Sequence, residues 1–140
     1  MGKVLGIDFG SKRVGLATGE DDFGIAFPRD VIQNKGIPLL ITSISDICEE
    51  LDVSKIVVGL PLNPEAVDSE NKIMTLVRKF VEELGGKIDI PVFLFDEMFS
   101  SFEADEFIRE AKERGDKTIL GRDAYAAQVI LQRFFDKSST

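Results

Sequence analysis

No histidine occurs anywhere in the 140 residues, and cysteine occurs once, at position 48. Without histidine, Ser-His-Asp and Cys-His catalysis are excluded, and so are His-ligated zinc and iron. A single thiol closes no internal disulfide and builds no cysteine-rich metal cluster. Cys48 follows Ile47 in a helical pattern and reads as a small, buried apolar residue. Long apolar runs are missing as well. Stretches such as Pro38-Leu-Leu-Ile41 fall far short of the roughly 20 residues a spanning helix needs. The carboxylate of Asp8 comes too early for a signal peptide, and Gly6 stands where a myristoylation signal needs Ser or Thr. The expectation is a cytoplasmic chain with no membrane partner. Any acid–base or metal chemistry has to run on carboxylates, lysines or the one tyrosine, Tyr125.

Hydrophobic residues make up 44% of the chain and charged residues 30%, the balance of a globular protein. At 15.5 kDa the length suits one domain over residues 1–140, with the tail Lys137–Thr140 frayed. The net charge of −8 weighs against a polyanionic partner. Its distribution relieves that objection. Residues 1–36 carry 5 basic and 5 acidic groups, residues 37–100 carry 5 and 12, and residues 101–140 carry 7 and 8. The excess sits in the middle, which leaves both ends able to present neutral or basic faces.

Periodicity predicts three strands joined by short turns: Lys3–Phe9, Arg13–Gly19 after a Gly10-Ser-Lys12 hairpin, and Phe23–Gln33, interrupted near Pro28. Leu39, Ile41, Ile44, Ile47, Cys48 and Leu51 then recur at helical spacing. A strand at Lys55–Gly59 is followed by a helix over Ser69–Leu84 that Gly85-Gly86 ends. Val92–Phe95 is a fifth strand, and a third helix starts at Ser100 or Ser101, with Glu103 placed as in a capping box. Lys112–Gly121 reads as a polar loop, and Asp123–Phe135 as a last helix. A meander followed by two βα crossovers predicts an α/β fold. Its mixed five-stranded sheet has three antiparallel strands, then two parallel ones, and helices on both faces.

Three acidic positions stand out. Asp8 near the end of a buried strand is costly unless paired, hydrated or metal-bound, although capping the Gly10-Ser11 turn would also explain it. Asp96-Glu97 ends the fifth strand, and alternation lets only one of the two face a common site with Asp8; a solvated strand end is the plain alternative. Asp123 heads the apolar stripe of the last helix, where the helix dipole alone would also favour an acid. Three carboxylates without histidine would suit Mg²⁺ or Mn²⁺, hard ions that prefer oxygen. Two such ions about 4 Å apart can activate a water and stabilise a leaving oxygen in phosphodiester hydrolysis.

Gly6-Ile-Asp8-Phe-Gly-Ser-Lys-Arg13-Val-Gly15, Val58-Gly-Leu-Pro-Leu-Asn63, Asp96-Glu-Met-Phe-Ser-Ser101 and Asp123-Ala-Tyr-Ala-Ala-Gln-Val-Ile-Leu-Gln132 resemble, in order, the motifs of the bacterial YqgF/RuvX family. That family comprises Holliday-junction resolvases of RNase H-like fold, also described as pre-16S rRNA nucleases. The resemblance spans essentially the whole chain. It implies an RNase H-like, metal-dependent nuclease with Asp8, Glu97 and Asp123 as the catalytic and metal-holding set. It further implies precursor rRNA as first substrate, branched DNA as second, and ribosomal particles as company. Monomer and homodimer both stay open. The chain departs from the family at Met98, where an arginine fork would grip phosphate, and in the mixed charges of Lys112–Lys117.

Further residues carry substrate roles beside plainer ones. Lys12 and Arg13 could hold a phosphate or be solvated hairpin charges, and Arg13 could face either way. Gly59 would let a substrate backbone approach, and Asn63 could hydrogen-bond sugar or phosphate, or both could shape a βα loop. Ser100 and Ser101 suit a helix cap whose amides could also receive phosphate. Lys112, Arg114, Lys117 and Arg122 could track a nucleic-acid backbone or line a solvated loop. Phe99 and Phe102, beside Glu97, are the only phenylalanines singled out for base contact. Two rivals remain: a non-catalytic nucleic-acid- or ribosome-binding module with a decayed metal site, and an actin-like nucleotide phosphotransferase. The latter normally needs two such domains, and no Gly-x-x-x-x-Gly-Lys-Ser/Thr loop is present.

Overall fold

In the chain's computed structural model, residues 2–59, 67–95 and 101–138 are described. Strands β1 (Lys3–Phe9), β2 (Arg13–Glu20) and β3 (Ile25–Gln33) form an antiparallel meander. Helix α1 (Ile37–Leu51) crosses to β4 (Val53–Gly59), which runs parallel to β1. Helix α2 (Val67–Lys87) leads on to β5 (Val92–Phe95), parallel to β4. Helices α3 (Ser101–Arg114) and α4 (Arg122–Ser138) follow. The strand order β3-β2-β1-β4-β5 places β1 at the centre of the expected mixed sheet.

Alternation sorts the side chains of β1 between two cores. Leu5, Ile7 and Phe9 pack with Ile44 and Cys48 of α1 and with Val77, Phe80 and Leu84 of α2. Val4 turns the other way, toward Ala127, Ile130, Leu131 and Phe135 of α4. Helix α3 lies on α4 through Ala104, Ala111, Tyr125 and Val129. Both faces are therefore covered. Cys48 is buried as expected, and burial pushes its thiol up to about 11. Among the described residues no helix is long and apolar enough to cross a membrane.

Several element boundaries differ from the sequence expectation. The interruption at Pro28 is a bulge within a continuous strand: Leu16 opposes Asp30, Ala17 opposes Pro28, and Arg29 is left unopposed. A proline that cannot donate to the ladder is accommodated in this way. Gly85-Gly86 does not end α2, which runs on to Lys87. Two helical glycines cost about 2 kcal/mol relative to alanine. The Ile88 amide bonds back to the Leu84 carbonyl across them. Lys112–Arg114 belongs to α3 rather than to a loop, and Gly115, at φ 77°, provides the left-handed stop. Lys137 and Ser138 are helical rather than frayed. Glu103 pairs with Arg133 of α4, so its carboxylate ties two helices together, while Ser100 and the Ser101 side chain of the expected cap lie outside the described residues.

The outer edge of β3 is closed by α4. Gln132 Oε1 accepts from the Ala26 amide at 2.9 Å, and Gln128 Nε2 donates to the Ala26 carbonyl at 3.1 Å. Gln132 Nε2 also donates to the Gly24 carbonyl at 2.8 Å. The two glutamines thus supply the donors and acceptors that an added strand would bring. Pro28 has no N–H to offer such a strand, so the edge resists further pairing.

Candidate active site

Asp8 lies opposite Gly15 on β2 and opposite Gly59 on β4. Residues directly opposed across a ladder share a face, so all three positions look toward α4. Arg13, two residues before Gly15 on the same strand, shares that face, which decides the orientation left open by the sequence. A Cβ on Gly15 would sit 1.8 Å from the carbonyl oxygen of Asp123. Only glycine lets the first turn of α4 lie this close to β2. That contact sets Asp123 beside Asp8, although 115 positions separate them in sequence.

Electrostatics follow from this proximity. Burial, and secondly the negative charge of Asp123, push the Asp8 carboxyl from 3.8 up to about 7. Among the described residues nothing donates a hydrogen bond to Asp8, so it does not act as the cap of the Gly10-Ser11 turn. Arg13 Nε donates to Asp123 Oδ2 at 2.9 Å. The Gly10–Lys12 hairpin is held by Asn34, whose Nδ2 donates to the Gly10 carbonyl at 2.9 Å and whose amide donates to the Lys12 carbonyl.

The donor set fits a divalent cation. Both acids are hard oxygen donors, as Mg²⁺ and Mn²⁺ require. A carboxyl whose charged form is disfavoured by burial and by a neighbouring acid gains much from a cation close by. Among the described residues no three metal-binding side chains come together. Asp8 and Asp123 supply two. Glu97 lies outside the described residues, as do Asn63, Ser100 and Phe99.

The remaining positions divide. Lys12 is exposed on the hairpin and forms no ion pair among the described residues. Ser101 is the first residue of α3. Gly59 does not open the sheet to a substrate: a Cβ there would lie 2.3 Å from Ile130 Cδ1, so its space is filled by α4. Arg122 bonds Asp105 of α3 at 3.0 Å, and Arg114 bonds Asp116 at 3.0 Å. Two of the four cations expected to track a backbone are thus partly neutralised. Phe102 is 68% exposed. The sequence reading missed Gly15 and Asn34. Hairpin counting across Gly10-Ser-Lys12 could have found Gly15, since Phe9 opposite Val14 puts Asp8 opposite Gly15. No local signal marks Asn34.

The profile of the family described as RuvX, Holliday junction resolvase, matches residues 2–137. A Methylobacillus flagellatus protein named "Putative pre-16S rRNA nuclease" is 40% identical over 137 residues, covering 96% of this chain and 91% of that one. A protein of the same name from Maridesulfovibrio salexigens is 36% identical, covering 97% and 99%. Among solved structures, Thermus thermophilus RuvC in complex with Holliday junction substrate superposes with a TM-score of 0.57 at 14% identity, covering 99% of this chain and 96% of that one. A Fowlpox virus resolvase in complex with Holliday junction DNA gives 0.63 at 9% identity, with 99% of each chain covered. At such identities the likeness concerns the fold alone, and that fold is RNase H-like.

Proposed function

The chain belongs to the RuvX family of Holliday junction resolvases, and on that premise we propose that it is a divalent-metal-dependent nuclease hydrolysing phosphodiester bonds in structured nucleic acid. The observation that carries this reading is the meeting of Asp8 and Asp123 on one face of the sheet, enforced by the packing of α4 on Gly15. Glu97 is the third acid of the proposal. Phe95 lies level with Gly59, and Gly59 with Asp8, so β5 ends two strands, or about 10 Å, from Asp8. Glu97 follows two residues later in the sequence. Mg²⁺ or Mn²⁺, when bound, supplies Lewis acidity at the phosphate and lowers the pKa of a coordinated water. Asp8, Asp123 and Glu97 hold the ion. Lys12 and Arg13, on and beside the hairpin, offer cationic donors to the phosphate next to it, and Asn63, Ser100, Ser101 and Arg122 complete the proposed substrate contacts.

Precursor 16S rRNA is the first substrate, in keeping with the name the relatives carry, and branched DNA the second. The work is cytoplasmic, alongside ribosomal particles, with the chain as monomer or homodimer. The ion pairs at Arg114 and Arg122 favour one rival, a binding module with a decayed metal site, because they weaken the basic surface. One assay separates the two: cleavage of precursor rRNA and four-way-junction DNA with Mg²⁺ or Mn²⁺, by wild type and by Asp8→Asn. Metal-stimulated cleavage lost in a folded Asp8→Asn supports the nuclease. Binding without cleavage by the wild type selects the rival.

A further inference from the structure

We propose that Arg13 is an exchangeable counter-cation: it holds Asp123 in the metal-free protein and yields that carboxylate when a divalent ion binds the acidic pair. The inference rests on the nuclease reading and adds an order of events to it.

Four observations carry it. Arg13 reaches Asp123 Oδ2 through Nε at 2.9 Å, so the guanidinium occupies an oxygen that the ion would use. The two partners differ in freedom. Asp123 is fixed by the contact of its own backbone with Gly15, whereas the Arg13 side chain is 64% exposed and has no second partner among the described residues. The bond joins a strand residue to a helix residue 110 positions away and does not lie within either element, so neither backbone has to change when it opens. Finally, Arg13 shares a face with Asp8, which places its charge on the side of the sheet where the ion would bind.

Guanidinium and divalent ion are both positive, so they compete for one carboxylate and repel each other if they share it. A pair this exposed is weak, which makes exchange easy. Once released, the guanidinium has a planar fork of donors suited to a phosphate. Metal loading then frees the group that receives the substrate. The arrangement keeps Asp123 paired while the ion is absent, and couples ion binding to substrate capture.

The test is calorimetric titration of the full-length protein with MnCl₂, without nucleic acid, in one buffer above neutral pH. Arg13→Gln should bind Mn²⁺ about two- to fivefold more tightly than wild type, the factor released by breaking an exposed ion pair. Arg13→Lys, which keeps the charge, should stay near wild-type affinity. A structural role for Arg13 alone would not tighten metal binding. Equal or weaker Mn²⁺ binding by folded Arg13→Gln overturns the exchange and leaves the nuclease reading standing. Absence of Mn²⁺ binding by folded wild type, or binding that persists unchanged in Asp123→Asn, defeats both together.

Discussion

Replacing Asp8 with asparagine should remove a pH-dependent loss of stability from the metal-free protein. The folded-state carboxyl titrates at about 7, against 3.8 for the ordinary group. Below the lower value both folded and unfolded chains hold the proton, and the site costs nothing. Between the two values the unfolded chain gives up its proton while the folded chain keeps it, so stability falls as pH rises. Above about 7 the folded carboxyl ionises as well, and the loss is complete. Three pH units at about 1.4 kcal/mol each set a ceiling of about 4 kcal/mol. Asp8 as a whole residue is only partly buried, and solvent screening brings the expected figure to about 2–4 kcal/mol. Urea denaturation in EDTA, run for wild type and Asp8→Asn across this range, reads the quantity directly. The gap between the two proteins should shift by that amount in favour of the variant, and Mn²⁺ should recover the loss for wild type. Any constant penalty for a poorly bonded asparagine amide cancels in the comparison. A gap that stays level with pH would show that burial does not disfavour the charged form of Asp8, and would remove the reason for a cation beside it.

Two other substitutions probe the packing that builds the site. Gly15→Ala puts a methyl 1.8 Å from the Asp123 carbonyl oxygen, so the first turn of α4 has to move. The expected cost is about 1–3 kcal/mol in denaturation, with weaker Mn²⁺ binding, and a variant unchanged in both would contradict the close approach. Gln132→Leu removes the acceptor of the Ala26 amide and the donor to Gly24. It should cost about 1–3 kcal/mol and allow concentration-dependent self-association through the opened β3 edge, visible by light scattering. A stable, monodisperse variant would show that the glutamines do not guard that edge.

Hydrophobic period by itself determined the element order, the mixed sheet and the burial of Cys48, because strand alternation and helical spacing are local and survive in one dimension. It also marked Asp8, Asp96-Glu97 and Asp123 as acidic positions, each with a plainer alternative, and the family resemblance selected Glu97 from the middle pair. Tertiary structure decided which atoms meet. Gly15 looked like any strand glycine until α4 lay on it, and Arg13 had no partner until that same contact delivered Asp123. The ion pair of Arg122 with Asp105, 17 positions away, and Ile130 filling the space at Gly59 likewise depend on residues distant in sequence. A pattern of residue types encodes which way a side chain tends to point. What it touches is set by how helices and strands close on one another, and the proposed chemistry of this protein arises from that closure.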